Sequence, residues 1–366
     1  MLRYHQVQPQ NLKATYGEYD SVDFELTFEN RQLVPSSIKL QADVKVMPDG
    51  TNLQTTQKVY IDPFIGAHSF VDSIITEIQS GGVLENFQNY LRYQRMVADT
   101  TMTANDMMNS ENTCELRAPN LKVAQALLGG HKMSNGASTV VEPDFSIKPN
   151  FCLNTIDEPL DYSKTGAVRI TVKLARNFSA LFGPDVGAST TYQLSNLRMC
   201  FNSVVVGKPS KVSMRTKLGI KQALTSAFAN ISTKVPAVCR GVSCSFQLQS
   251  KENSQNDNNV ETAVPPNIKE LSFAFNDSLN EYITYVIKSR DELLDKYIAS
   301  FADTGSNMVR LAKLGAGEGY GIGLQFGTTE EPLFIDLSNQ KFNVQITSDI
   351  AENYNIYMYF HSVTSI

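Results

Sequence analysis

Residues 341–363 read KFNVQITSDIAENYNIYMYFHSV and alternate apolar with polar side chains twice over. Phe342, Val344 and Ile346 stand against Asn343, Gln345 and Thr347, and then Ile356, Met358 and Phe360 against Tyr357, Tyr359 and His361. Successive side chains of a strand point to opposite faces, so a strict period of two predicts strands with one buried and one wet face. The same device recurs along the chain. SVDFELTFEN sets Val22, Phe24, Leu26 and Phe28 against Asp23, Glu25, Thr27 and Glu29, and SIKLQADVKV sets Ile38, Leu40, Ala42, Val44 and Val46 against Lys39, Gln41, Asp43 and Lys45. AVRITVKL turns Val168, Ile170, Val172 and Leu174 inward, and VSCSFQLQS does so with Val242, Cys244, Phe246 and Leu248. TQKVYIDP, SFVDSIITEI, YQLSNLRMCFNSVVV, IKELSFAFN, EYITYVIKS and GIGLQF complete the strand candidates. One wet face per strand is the mark of antiparallel sheets.

Turns and helices punctuate these runs. MPDGTN carries Asp49-Gly50, a pair suited to the positive backbone dihedrals of a tight hairpin. GVLENFQNYLRYQRM places Leu84, Phe87 and Leu91 on one helical face, and NLKVAQALLGG ends on a Gly-Gly stop. DELLDKYIASF carries Leu294, Ile298 and Phe301 at helical spacing behind an acidic first turn. Residues 166–206 and 341–363 each run strand, loop, strand. Each half therefore opens with strands, inserts a helix between middle strands and ends on a paired strand–loop–strand. This is a repeat of order, without residue identity between the halves. Gly, Pro and Ser break the pattern around 207–213, which reads as a linker.

With about eight strand candidates on each side, the expected fold is all-β: two tandem antiparallel jelly-roll β-sandwiches, a double jelly roll, with a few short helices in inter-strand loops. The expected divisions are an N-terminal arm over 1–19, a first jelly roll over 20–207 with a long insertion at about 98–150, and a second jelly roll over 208–366. A length of 366 residues suits two such domains. Hydrophobic residues at 42% and charged ones at 19% describe a core-forming chain rather than a disordered one. A formal net charge of −5 argues against a dedicated duplex nucleic-acid binder. MLRYHQVQPQNLKATY has no apolar core of signal-peptide length, and no apolar run reaches bilayer length, so folding in a cytoplasm is expected.

Residues suited to chemistry are sparse. Cys114, Cys152, Cys200, Cys239 and Cys244 show no CxxC pair, and His5, His68, His131 and His361 lie far apart, so buried free thiols are expected and no metal site. His68 and Ser69, with Asp62 or Asp72 as orienter, form a hydrolase candidate by residue type, but neighbours in sequence do not make a triad. His361 reads as an edge or interface residue. Asp157, Glu158 and Asp161 lack calcium-loop spacing and read as a solvated turn. In KLGAGEGYGIG, Gly315, Gly317, Gly319, Gly321 and Gly323 alternate without any phosphate-loop register, which points to a flexible connector or a bulged strand entry. Sequons at Asn177, Asn230 and Asn276 matter only in a secreted protein. No catalytic, cofactor or metal residue is therefore assigned, and the chain is not expected to be an enzyme.

Four passages carry a resemblance: ENRQLVPSSIKLQADVKV, IDPFIGAHSFVDSIITEIQSGGVLENFQNYLRYQRM, SFAFNDSLNEYITYVIKSRDELLDKYIASF and the ending YNIYMYFHSV. In segment order and phrase, over most of 20–366, the chain resembles the double jelly-roll major capsid proteins of icosahedral, often membrane-containing, DNA viruses. The resemblance implies a homotrimeric capsomer whose six sandwiches form a pseudo-hexagonal tile, with upright strands, loops exposed on top and a base facing the interior or a membrane. It further implies neighbouring capsomers, penton and minor capsid proteins and an internal viral membrane as partners, no sequence-specific nucleic-acid binding, and a place in the virion after assembly in the host cytoplasm. Under it, the 98–150 insertion is a tower or clasp onto a neighbour, or else a solvated excursion with one helix. Lys208, Lys211, Arg215, Lys217 and Lys221 face packaged genome or anionic lipid, or else form a solvated linker and the first turns of a helix. Two alternatives remain: a penton (vertex) protein with one jelly roll and an added domain, and a carbohydrate-binding β-sandwich attachment protein, for which the absence of Trp leaves stacking to Tyr.

Overall fold

The computed structural model describes residues 1–54, 57–101, 114–117, 131–132, 143–205, 207, 211–235, 238–263, 266–276, 282–301, 319, 321–327, 333–338, 341–349 and 352–366. The alternating runs become strands. In the first half these are β1 (Arg3–Val7), β2 (Ser21–Leu26), β3 (Arg31–Leu33), β4 (Lys39–Met47), β5 (Tyr60–Ile61), β6 (Val71–Ile78), β7 (Gly82–Phe87), β8 (His131–Lys132), β9 (Asp144–Ile147), β10 (Leu160–Asp161), β11 (Val168–Leu174) and β12 (Thr191–Val205). The second half holds β13 (Ser213–Leu224), β14 (Phe228–Lys234), β15 (Val238–Leu248), β16 (Asn267–Asn276), β17 (Tyr282–Ile287), β18 (Ile322–Gln325), β19 (Ile335–Asp336), β20 (Lys341–Asp349) and β21 (Tyr354–Ser365). Helices are short: α1 (Tyr90–Thr101), α2 (Tyr162–Thr165), α3 (Asn177–Ala180) and α4 (Arg290–Ala299).

The first half pairs β1, β12, β4 and β9 in one sheet and β2-β11-β6-β7 in the other, with β3 and β10 extending the first sheet. The second half pairs β13-β21-β15-β18, with β19 added on β15, and β14-β20-β16-β17. Counted from the start of each half and leaving out the short extra strands, both run 1-8-3-6 in one sheet and 2-7-4-5 in the other. That order is the jelly roll, and all these pairings are antiparallel. The helix between middle strands recurs too, α1 following β7 and α4 following β17. The repeat of order therefore has a topological basis, and the fold is a tandem double jelly roll.

Several local expectations are corrected. The closing strands of each half do not pair with one another: β11 and β12 lie in opposite sheets, as do β20 and β21. Two alternating runs joined by a loop look alike whether the chain turns back or crosses to the facing sheet. Asp49 and Gly50 do take positive φ, 51° and 73°, but β4 pairs with β12 and β9, so the turn closes no strand hairpin. Residues 82–87 form β7, paired with β6, and the helix begins only at Tyr90. The spacing of Leu84, Phe87 and Leu91 straddles two elements. Residues 213–224, carrying Arg215, Lys217 and Lys221, are a strand paired along its length with β21, not the first turns of a helix. Residues 3–7, placed in an arm by the sequence, run as β1 along β12; with an almost wholly exposed pattern they give no strand-like burial signal. Among the described residues of TQKVYIDP only Tyr60–Ile61 is strand. The expected helix at 120–130 and most of the 98–150 insertion lie outside the described residues.

Each sandwich is held by its inward faces. Val22, Phe24, Leu26, Ile170 and Val172 belong to the first core, and Phe273, Phe342, Val344, Ile346 and Phe360 to the second. Complete burial of such a side chain is worth about 1.5–3 kcal/mol. α4 is started by Ser289, whose Oγ accepts the Glu292 N–H at 3.1 Å, with Asp291 and Glu292 favourably placed in its first turn. It packs on β18, where Gly321 and Gly323 leave no room for more: a Cβ would lie 2.5 Å from the Tyr297 ring and 2.5 Å from Ser300 Oγ. Gly321, at the entry to β18, and Gly323 within it lie under a helix, and β18 pairs with β15 without a bulge; Gly315 and Gly317 lie outside the described residues.

Candidate functional site

The residues suited to hydrolysis are not assembled. His68 is fully buried and its Nδ1 meets the Tyr90 hydroxyl at 2.7 Å, while Nε2 faces Arg117 at 3.3 Å and Glu115 at 3.8 Å. Burial lowers its pKa, and the Glu115 and Arg117 charges modify that effect in opposite senses. The Ser69 hydroxyl is buried with no partner among the described residues. Asp62 serves Arg95 instead, and Asp72 has burial pushing its pKa up, with Lys173, Arg92 and Arg176 as its opposing charges. Asp157 and Glu158 do not act as a pair: Asp157 accepts the Ser213 N–H at 2.8 Å, Glu158 is exposed, and Asp161 caps α2 through Ser163 N at 2.9 Å. Among the described residues no group of three or more His, Cys, Asp or Glu could hold a metal ion.

Four of the thiols are buried, but Cys114 is exposed, contrary to the expectation for all five. Asn177 is buried and accepts the Tyr192 N–H at 3.2 Å, so that sequon is closed in the fold, whereas Asn230 is exposed on β14. The basic run is divided by its strand. Arg215 and Lys221 are exposed, Lys217 is buried, Lys221 pairs with Glu252, and Lys208 lies outside the described residues. His361 sits on an interior strand rather than an edge, buried between the sandwiches, with Nε2 on Ser243 Oγ at 2.8 Å.

What the fold does assemble is the junction between the sandwiches. Strand β21 is buried on both faces. Ile356, Met358 and Phe360 enter the second core, while Tyr357 and Tyr359 belong to the first cluster. β13 approaches the β7–α1 turn so closely that a Cβ on Gly219 would lie 2.2 Å from the Gln88 carbonyl oxygen. The Tyr359 hydroxyl donates to Asn89 O at 2.9 Å. From α1, the Arg92 guanidinium donates to Asn259 O at 2.5 Å and lies 4.4 Å over the Tyr357 ring. Arg95, 1% exposed, pairs with Asp62, meets Asp99 at 3.1 Å and Glu261 at 3.6 Å, and stacks 4.2 Å over Phe64. Asn258 Nδ2 donates to the same Asp62 at 2.6 Å.

A second buried charge set lies beside it. The Glu85 carboxylate accepts the backbone N–H of Cys152 at 2.7 Å and of Lys217 at 2.8 Å, so one side chain ties the two halves together. Lys217 Nζ donates to Asn150 Oδ1 at 3.0 Å between the Phe87 and Tyr93 rings. Burial raises the Glu85 pKa and lowers that of Lys217, and each charge works against the other's shift. Buried charges cost heavily unless paired and hydrogen-bonded, so such a junction holds one arrangement. Sequence reasoning missed Glu85, Arg92 and Arg95. In the sequence they read as the polar positions of amphipathic elements, and only a second sandwich covers them.

No family model and no curated protein sequence matches this chain. Solved structures do. The PBCV-1 virus capsid is similar over 100% of this chain and 94% of its own, with a TM-score of 0.61 at 10% identity. The Faustovirus major capsid protein is similar over 100% of this chain and 90% of its own, at TM-score 0.58 and 9% identity. The Sulfolobus Turreted Icosahedral Virus structure covers 99% of this chain and 90% of its own, at TM-score 0.53 and 8% identity. Sandwich order, junction and full-length similarity agree on one architecture: this chain has the double jelly-roll fold seen in those viral capsids.

Proposed function

We propose that the chain is a major capsid protein, the building block of an icosahedral virus shell, working as a homotrimer. The observation that carries this reading is the pair of like-ordered sandwiches locked together by a buried junction, in a fold shared end to end with solved capsid proteins. Three copies of such a unit present six near-equivalent sandwiches, which suits a pseudo-hexagonal tile. In this reading the first sandwich extends over 20–207 with the 3–7 strand on its edge, and the second over 208–366. Tyr4, Leu12, Tyr19, Phe228, Leu333 and Phe334 are large apolar side chains left exposed, surface that neighbouring copies would cover. The protein would reside in the virion, beside penton and minor capsid proteins and over an internal membrane.

The test is the oligomer. Light scattering behind size exclusion should return about three times the 40.6 kDa chain mass, and negative-stain particles should show six lobes about a three-fold axis. Pentamers would move the protein to the shell vertex. A monomer under every condition would defeat the tile reading, and glycan binding by that monomer would favour an attachment role.

A further inference from the structure

A cavity of about 400 Å³ opens at the junction, lined among others by Tyr93, Asn150, Arg215, Lys217, His361 and Ser362. It lies within the size range of small-ligand sites and has room for many waters, each with a share of about 30 Å³. Its lining is rich in donors and poor in acceptors. The Arg215 guanidinium has no ion-pair or hydrogen-bond partner among the described residues. Lys217 is buried, and its Nζ uses one of its three protons on Asn150. Among the described residues the Tyr93 hydroxyl, on a residue 0% exposed, has no partner, and Ser362 Oγ has no oxygen or nitrogen partner.

Three of the lining's acceptors are already taken. Asn154 Oδ1 receives the Ile38 N–H, Thr155 Oγ1 receives the Arg215 N–H, and His361 Nε2 meets Ser243 Oγ. Glu85 spends both oxygens on backbone N–H groups, and its charge offsets only one of the two cations Arg215 and Lys217. Orphaned buried donors and a residual positive charge are what an anion satisfies.

We propose that this cavity binds a small oxyanion of the phosphate class, held by Arg215, Lys217 and the Tyr93 hydroxyl and bridging the two sandwiches. The inference is independent of the shell reading, since it concerns a site inside one chain. An anion bound there stabilises the folded chain in proportion to its occupancy.

The test uses the purified full-length chain at fixed ionic strength near neutral pH, with chloride as the reference salt. Calorimetry and thermal melting are run against inorganic phosphate and, separately, glycerol phosphate, a monoester standing in for an esterified headgroup. A saturable rise in Tm with either arm supports the site, and the tighter arm tells free from esterified phosphate. Arg215→Gln, an exposed position, should fold normally and weaken binding roughly tenfold or more, the effect of one charge-assisted contact. Tyr93→Phe, which removes only the hydroxyl, should weaken it roughly threefold to tenfold. No saturable effect in either arm, or unchanged affinity in Arg215→Gln, overturns the proposal.

Discussion

Arg95 offers the sharpest perturbation of the junction. Its side chain is 1% exposed and faces Asp62, whose side chain is 0% exposed, and Asp99, at 14%. Arg95→Ala leaves two carboxylates in a low-dielectric site with no cation between them. Removing one partner of a buried pair costs about 3–5 kcal/mol. Asp62 keeps the N–H bonds of Phe64 and Ile65 and the amide of Asn258, which solvate its charge and place the expected loss near the low end, about 3 kcal/mol. Loss of the stack on Phe64 adds about 0.5–1 kcal/mol. Urea denaturation at fixed protein concentration measures this, followed by far-UV circular dichroism and tyrosine fluorescence, since the chain has 15 Tyr and no Trp. In the Asp62→Ala background the same Arg95→Ala change should cost at least ~1 kcal/mol less, because part of its penalty is the stranded Asp62 charge. A loss below about 1 kcal/mol, or equal losses in the two backgrounds, would show that the ion pair does not hold the junction in the way argued.

Three further outcomes follow from named contacts. Burial, together with Lys217, Arg240 and Arg215, holds His361 neutral and its pKa at about 3 against 6.5 when free, so the unfolded chain binds the extra proton. Its contribution is present above about pH 6.5 and lost as pH falls toward 3, at roughly 1 kcal/mol per pH unit; the stability difference between wild type and His361→Asn should change with pH across that window, and a flat difference would refute it. Gly219→Val drives a side chain into the Gln88 carbonyl and should cost ~2–3 kcal/mol or more in the same urea assay, whereas Gly187→Val, at a glycine with nothing within 4 Å, should cost under ~1 kcal/mol. A thiol reagent such as Ellman's should titrate Cys114 rapidly and Cys152, Cys200, Cys239 and Cys244 only after denaturation; two or more fast thiols would contradict their burial.

Much of the architecture was legible because it is written in local periodicity. The run at 39–47 buries every second residue as its alternation requires, and so does that at 341–349. The helix at 290–299 announces itself by its apolar spacing and acidic first turn. Less legible was the boundary at 82–90, where strand and helix share one apolar spacing, and β1, which has no apolar face to signal a strand. The candidate site was hardly legible at all. His68, Ser69, Asp62 and Asp72 are close in sequence, yet the fold gives His68 to Tyr90 and Asp62 to Arg95.

Local alternation and turn chemistry by themselves determined that this chain forms antiparallel strands with one apolar face each, in two successive sets that each enclose a helix. Those signals depend on neighbours a few residues apart, and every residue carries them wherever the strand ends up. Which strand lies beside which, and which polar residues become buried, only the tertiary structure decided. Glu85 and Lys217 meet across more than 130 residues of sequence, and their charges matter because the facing sandwich removes the water around them. Desolvation is a property of the closed junction, and no short stretch of residues contains it.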